Sequence, residues 1–174
     1  MQIRKERPED YDSIYDVVKK AFESAEHSDG NEQDLVTALR KSDSYIPELA
    51  LVAEVKGKIV GHIMFTKAKV GDNTVLALAP LSVLPEYQRK GIGTALIREG
   101  HSIAGKSGYG YSCVLGSEIF YPKSGYVPAD TLGISPPFDV PRENFMAYKT
   151  DSHSPEIKGT IEYAKEFGIK SDDK

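Results

Sequence analysis

The chain has 174 residues, enough for one domain to bury a core without disulfide or metal staples, and its 22 basic and 26 acidic residues give a net charge of −4. With a pI of about 5.6, no global positive field draws it to nucleic acid or to an anionic membrane, so neither is an expected partner. One cysteine, Cys113, excludes an intramolecular disulfide, MQIRKERPED lacks the apolar stretch of a secretory signal, and no run of about 18 apolar residues occurs, so a cytoplasmic protein without a membrane span is expected.

Residues 2–7 read as a short strand ended by Pro8, after which Asp10 can cap a helix with the apolar face Ile14, Val17, Val18, Ala21 and Phe22. The next twelve residues, 23–34, read ESAEHSDGNEQD, a polar and acidic loop. Leu35, Ala38 and Leu39 suit a second short helix. Three apolar, β-branched runs follow at 49–55, 58–65 and 73–83, separated by Lys56-Gly57 and Gly71-Asp72-Asn73, and predict an antiparallel meander. The third contains Pro80, which has no N–H to give a ladder, so a broken or splayed strand with a site beside it is expected there.

A helical stripe of Ile92, Ala95, Leu96, Gly100, Ile103 and Ala104 comes next, with Arg98, Glu99, His101 and Ser102 on the other face. A glycine inside a helix costs about 1 kcal/mol against alanine, so Gly100 on the apolar stripe predicts close approach of helix to sheet. Gly105, Gly108 and Gly110 then lead the chain out of the helix into a strand at 111–115. Residues 100–107, GHSIAGKS, spell the phosphate-loop pattern G-x-x-x-x-G-K-S/T. That pattern needs a strand before it and a helix after it. Here it lies across a helix end, and a nucleotide triphosphatase is set aside.

The start of the same helix does have the order strand, loop, helix. Gly91 and Gly93 leave room for a diphosphate against the backbone, the first-turn amides present the positive end of the dipole, and Arg89 and Lys90 add charge. A tight strand-to-helix turn with solvated basic residues would account for the same composition.

The six residues Gln88, Arg89, Lys90, Gly91, Ile92 and Gly93 fit Q/R-x-x-G-x-G/A, preceded by Leu81, Ser82, Val83 and Pro85 and followed by an amphipathic helix. This ensemble resembles the acetyl-coenzyme A motif of the GNAT family of N-acetyltransferases. Downstream, FYPKSGYVP resembles the family's Y-x-K-x-G-F/Y segment through Tyr121, Lys123, Gly125 and Tyr126. The resemblance implies an α/β (α+β) single domain over residues 1–150: a mixed, mostly antiparallel central sheet flanked by helices, with a splayed central strand. A short helix and two last strands, near 126–128 and 144–149, would complete it. Residues 151–174 form a C-terminal extension, read as a helix capped by Ser154 with Pro155 at its first position and packed on the domain.

Function follows from the same resemblance. It implies acetyl-coenzyme A as cosubstrate, no metal, and the primary amine of a small molecule or protein as acceptor, and it is compatible with a homodimer. The backbone of Leu81, Ser82 and Val83 would pair with pantetheine, Gln88, Arg89, Lys90, Gly91, Ile92, Gly93 and Thr94 would hold the pyrophosphate, and Tyr121 would protonate the departing thiolate. Many family members carry a carboxylate on the strand just before the cofactor contacts, where this chain has Leu78, Ala79 and Pro80. Water relay or a carboxylate from the 23–34 loop would then take the base's part, and a non-catalytic sensor of acyl-coenzyme A is the alternative. His27 and Glu32 fall where the family often builds its acceptor site. Glu23, Glu26, Asp29, Glu32 and Asp34 favour a cationic, polyamine-like acceptor. Glu86 is read as solvent-facing, and His62, His101 and Cys113 as structural.

Overall fold

The computed structural model describes residues 1–23, 28 and 30–169. Three long strands form the centre of the sheet, β2 (Tyr45–Val55), β3 (Lys58–Val70) and β4 (Asn73–Val83). They pair antiparallel through tight turns in which Lys56, Gly57 and Gly71 take positive φ. On one side β1 (Gln2–Lys5) joins β2 antiparallel. On the other, β5 (Tyr111–Leu115) joins β4 in parallel, and β6 (Val127–Pro128) and β8 (Phe145–Lys149) complete the order β1-β2-β3-β4-β5-β8-β6. Off this path, β7 (Ile134–Ser135) runs parallel to β9 (Gly159–Glu162), and β9 pairs with the end of β3.

Among the described residues three α-helices cover the sheet. In α1 (Tyr11–Phe22) the 3.6-residue period puts Ile14, Val17 and Val18 on one buried face. The second, α2 (Glu32–Arg40), buries Val36 and Leu39 beside Ala50, Val52 and Met64. The opposite face carries α3 (Ile92–Lys106), whose Ile92, Leu96, Ile97 and Ala104 pack with Ile63, Phe65, Leu76 and Leu78. Because side chains alternate across a strand, Met64 and Ala68 of β3 face α1 and α2 or the β7–β9 layer, while Ile63 and Phe65 face α3.

One buried polar knot ties the first strand to the rest. Glu6, just beyond β1, accepts hydrogen bonds from Arg40 Nε (2.8 Å), Arg40 Nη2 (3.0 Å) and the Tyr45 hydroxyl (2.7 Å), and lies 3.0 Å from His62 Nε2. The Glu6 and His62 side chains are fully buried. Burial pushes the Glu6 carboxyl up, but hydrogen bonds from His62, Arg40 and Tyr45 outweigh it and bring it from 4.5 to about 2.

The structure departs from the sequence reading in three places. Asp10 makes no cap to α1; its carboxylate instead accepts from Arg4 (2.7 and 3.1 Å) and from the Arg7 amide (2.8 Å). The helix expected from Ser154 does not form, because Gly159, Thr160 and Ile161 extend as β9 and seat Ile161, fully buried, against Val70. His101, read as structural but placed on the polar face of the helix, is half-buried, stacked on Tyr148 with ring centroids 4.0 Å apart and bonded to the Tyr126 hydroxyl at 3.0 Å. Cys113 is a core residue of β5, its thiol pushed up to about 12 by burial.

The expected close approach of helix to sheet is present at Gly100. A Cβ there would fall on the buried Phe65 ring, 2.6 Å from its Cζ. Gly100→Ala gains about 1 kcal/mol of helix propensity but forces an overpacked core, which costs about 1–3 kcal/mol. Net destabilisation is expected, read as a lower urea midpoint at unchanged slope; a raised midpoint would overturn the contact.

Candidate functional site

The parallel ladder between β4 and β5 lasts for two residue pairs, Leu76 with Ser112 and Ala77 with Cys113. Just past it β4 carries one residue more than β3, since Ile63 pairs with Leu81 and Phe65 with Leu78, so a bulge falls at Ala79 and Pro80. The Ala79-Pro80 peptide is cis. From there β4 follows β3 alone and β5 follows β8 alone, and the two diverge. Between them opens a cleft of about 960 Å³, walled by Leu78 to Leu81 and Val83 on one side and by Val114 to Ser117 on the other. The backbone groups facing it have lost their sheet partner, so a ligand with extended amide groups can pair with them.

At the mouth of this wedge the chain turns into α3. Leu84 N–H bonds to Val60 O (2.9 Å), Tyr87 N–H to Leu84 O (2.8 Å), and the Gln88 side chain donates to Val83 O (3.0 Å). Arg89 and Gly91 then take positive φ, +63° and +87°. For Arg89, which has a Cβ, that backbone costs roughly 1–2 kcal/mol, and such outliers gather at functional sites. The first α3 bond is Ala95 N–H to Gly91 O (3.0 Å). The amides before it point out of the helix end without intrahelical acceptors, and no acidic residue occupies the first turn. A Cβ on Gly93 would lie 3.3 Å from Phe120 and 3.6 Å from Leu81, so that approach is already closely lined; around Gly91 the space is open. The helix end therefore presents unfilled donors and a positive dipole to an anion.

Of the residues expected to hold the cofactor, Leu81, Val83, Gln88, Arg89, Gly91, Ile92, Gly93 and Thr94 line the cleft. Ser82 and Lys90 do not. The Ser82 side chain is buried on the sheet face turned toward α1, and the Lys90 ammonium stands 5.5 Å from the centre of the Tyr87 ring. Residues 100–106, which spell most of the phosphate-loop pattern, are helical, and Lys106 ends α3, away from the cleft lining.

Tyr121 also lines the cleft, in a 3₁₀ turn spanning Tyr121–Ser124. Its ring stands edge-on to Phe120 (5.0 Å) and Tyr126 (5.7 Å) and rests on Gly116, where a Cβ would lie 2.5 Å from the ring. Burial pushes its phenol up to about 12, so it is protonated at neutral pH. Behind it the buried Tyr126 hydroxyl is held by Ser112 (2.8 Å) and His101 (3.0 Å).

At the end opposite the helix mouth the lining is Phe22, Leu35, Leu78 and Pro80 around Glu32, which accepts from Ser28 Oγ at 2.8 Å. Among the described residues Glu32 is the one carboxylate of the lining. An adjoining hollow of about 290 Å³ shares Phe22 and Glu32 and adds Lys19, Glu23, Ser28, Gly30 and Gln33. Asp34 is exposed on α2 and bonded to Tyr15 (3.1 Å), and Glu86 is exposed outside the cleft. His27, Glu26 and Asp29 lie outside the described residues. Gly116 and Phe120 were not foreseen; a glycine directly after β5 was their only sequence signal. Among the described residues no His, Cys, Asp and Glu cluster could hold a metal, and no helix is long and apolar enough to cross a membrane.

Comparison with known proteins bears on this geometry. The model of the acetyltransferase (GNAT) family matches residues 11–126. YjhQ of Escherichia coli (strain K12), named an uncharacterized N-acetyltransferase, is 38% identical over 126 residues, 70% of each chain. The crystal structure of E. coli YhbS, a GNAT family N-acetyltransferase in complex with CoA, superposes with a TM-score of 0.86 at 25% identity, covering 96% of this chain and 91% of that one. A GNAT family acetyltransferase from Brucella melitensis in complex with acetyl-CoA gives a TM-score of 0.80 at 31% identity, covering 95% and 97%.

Proposed function

The chain belongs to the GNAT family of N-acetyltransferases, and we propose that it moves the acetyl group of acetyl-coenzyme A to a primary amine inside the β4–β5 cleft. One observation carries this reading: a strand edge stripped of its partner, an acid-free helix start behind Gly91 and Gly93, and a half-buried protonated tyrosine all line the same cleft. The Leu81 and Val83 backbone pairs with the pantetheine amides. The amides of Gly91 to Thr94, with Arg89 outside them, receive the pyrophosphate. Transfer needs a neutral amine, a polarised carbonyl and a proton for the departing sulfur, and holding both substrates in one wedge supplies much of the rate. Tyr121 supplies the proton.

The acceptor enters from the side of α1 and α2. Its reacting nitrogen approaches past Phe22, Leu35 and Pro80, while Glu32, and Glu23 in the hollow that shares Phe22 and Glu32, face the far end of the molecule. An amine with a second positive charge fits this arrangement best, with the distal charge drawn to Glu23 and Glu32.

Three measurements test the reading. Gly93→Asp puts a negative side chain where the pyrophosphate is assigned and is expected to weaken acetyl-coenzyme A binding sharply in calorimetry, while Lys106→Ala leaves it unchanged; comparable losses in both folded variants would displace the site. Tyr121→Phe keeps the ring and removes the proton, so cofactor affinity holds while the single-turnover rate drops by roughly 10²-fold, the lower end for general acid catalysis. A change confined to KM would instead assign Tyr121 to ground-state binding. In a thiol-release screen, diamines should outpace monoamines and amino acids with acidic side chains, and Glu32→Gln should erase that preference; preferred turnover of acidic acceptors would reverse the assignment.

A further inference from the structure

Beyond this reading, and resting on it, we infer that His62, oriented by Glu6, takes the proton of the acceptor ammonium through the Ser82 hydroxyl and intervening water. Where β4 walls the cleft it offers Leu78, Ala79 and Pro80 and therefore no base, and with Glu32 assigned to the acceptor's distal charge, the ammonium proton has no destination among the groups assigned so far.

The knot at Glu6 has the features such a sink requires. An ionised Glu6 carboxylate can only accept, so the 3.0 Å contact requires His62 Nε2 to be the donor and leaves the lone pair on Nδ1. That Nδ1 is buried and has no hydrogen-bond partner, and so is Ser82 Oγ. His62 and Ser82 are direct cross-strand partners on β3 and β4, which puts their Cβ atoms about 5 Å apart on one face. An unpaired base and an unpaired hydroxyl side by side in a core are rare, and each calls for water or a function. Ser82 stands two residues from Pro80, a wall of the cleft, on the same strand and between the wall residues Leu81 and Val83. Along β4 one strand repeat, about 7 Å, separates Ser82 from Pro80 in the cleft wall, a span that one or two waters bridge.

The Glu6 carboxylate is the charged group in direct contact with the His62 ring. Glu6 and Arg40 form a pair at 2.8 Å, with Arg40 itself over the Tyr11 ring at 3.8 Å. Tyr45 donates to Glu6, and burial and that carboxylate both push its phenol up, so it stays neutral. From β2 the residue opposite His62 is Val52, and α1 offers Ile14, Val17 and Val18, while its Asp12, Asp16, Lys19 and Lys20 are exposed. An imidazolium at His62 thus meets Glu6 as its nearest opposite charge. The proton count closes. One ammonium proton passes to His62 Nδ1, the neutral nitrogen forms the C–N bond as the C–S bond breaks, and Tyr121 gives its proton to sulfur. A second amine proton restores Tyr121, and His62 later releases its own to solvent.

His62→Gln retains an N–H for Glu6 and removes the basic nitrogen; Ser82→Ala removes the relay hydroxyl. Single-turnover acetyl transfer to a diamine is followed between about pH 6 and pH 10, the span in which free amine builds up toward the ordinary amine pKa, alongside acetyl-coenzyme A affinity. The glutamine variant is expected to keep that affinity and to lose roughly 10²-fold in rate near neutrality. The deficit should close by about tenfold per pH unit, as acceptor deprotonated in solution replaces the missing base. Ser82→Ala should show a smaller deficit with the same slope, and it decides the question if His62→Gln does not fold. A deficit constant across pH reveals a structural role and overturns the relay, as does no deficit. If the wild type turns over and both variants keep its profile, the relay alone falls. If the wild type binds acetyl-coenzyme A and acetylates no amine, the transfer reading falls and the relay with it.

Discussion

A parallel ladder only two residue pairs long, between β4 and β5, is the constraint on which the rest of the site depends. Backbone N–H and C=O groups that leave a ladder inside a protein must find other partners. Here they face a cleft. The wedge does not collapse, because each diverging strand keeps its outer neighbour: β4 stays paired with β3 as far as Val83, and β5 stays paired with β8 along all five of its residues. The bulge at Ala79 and Pro80 lets β4 bend away without breaking its union with β3.

The position of α3 against this wedge is set by two close approaches. A Cβ at Gly61 would lie 3.2 Å from both Ile92 and Leu96, and one at Gly100 would strike Phe65. Side chains at these two points would lift the helix from β3, and its N-terminus would no longer point across the mouth of the cleft. The dipole and the free amides matter only in that direction. The direction in which the helix start points therefore depends on core packing about one and about two turns along α3, as well as on the loop's own glycines.

The polar groups of the interior divide into two kinds. Glu6 is surrounded by donors from α2, β2 and β3, and such full satisfaction is what makes a buried carboxylate tolerable. Directly beside it, His62 Nδ1 and Ser82 Oγ have no partner, and neither do Thr66 Oγ1 on the same face of β3 and Ser124 Oγ in the turn after Tyr121. Unsatisfied groups thus stand near both ends of the proposed proton path. Tyr121 differs from them: its phenol, protonated at neutral pH like any tyrosine, is pushed further up by burial to about 12.

Local patterns in the sequence determined most of the fold. Period-2 runs separated by glycine turns, the stripe of α3 and the Gly91-Ile92-Gly93 start were legible because each depends on neighbours within a few residues. Pro80 announced the splay for the same reason, being unable to donate to a ladder. Local signals misled at Ser154-Pro155, a good helix start in isolation, where pairing with β3 and β7 extended Gly159 to Glu162. They misled again at Asp10, which Arg4 drew away from the helix end. The meeting of Glu6 with His62, 56 positions apart, had no sequence signal at all. Spacing encodes helix faces and strand alternation, whereas the convergence of distant side chains depends on sheet order and on which helix lies over which strand, and those were decided only when the whole core packed.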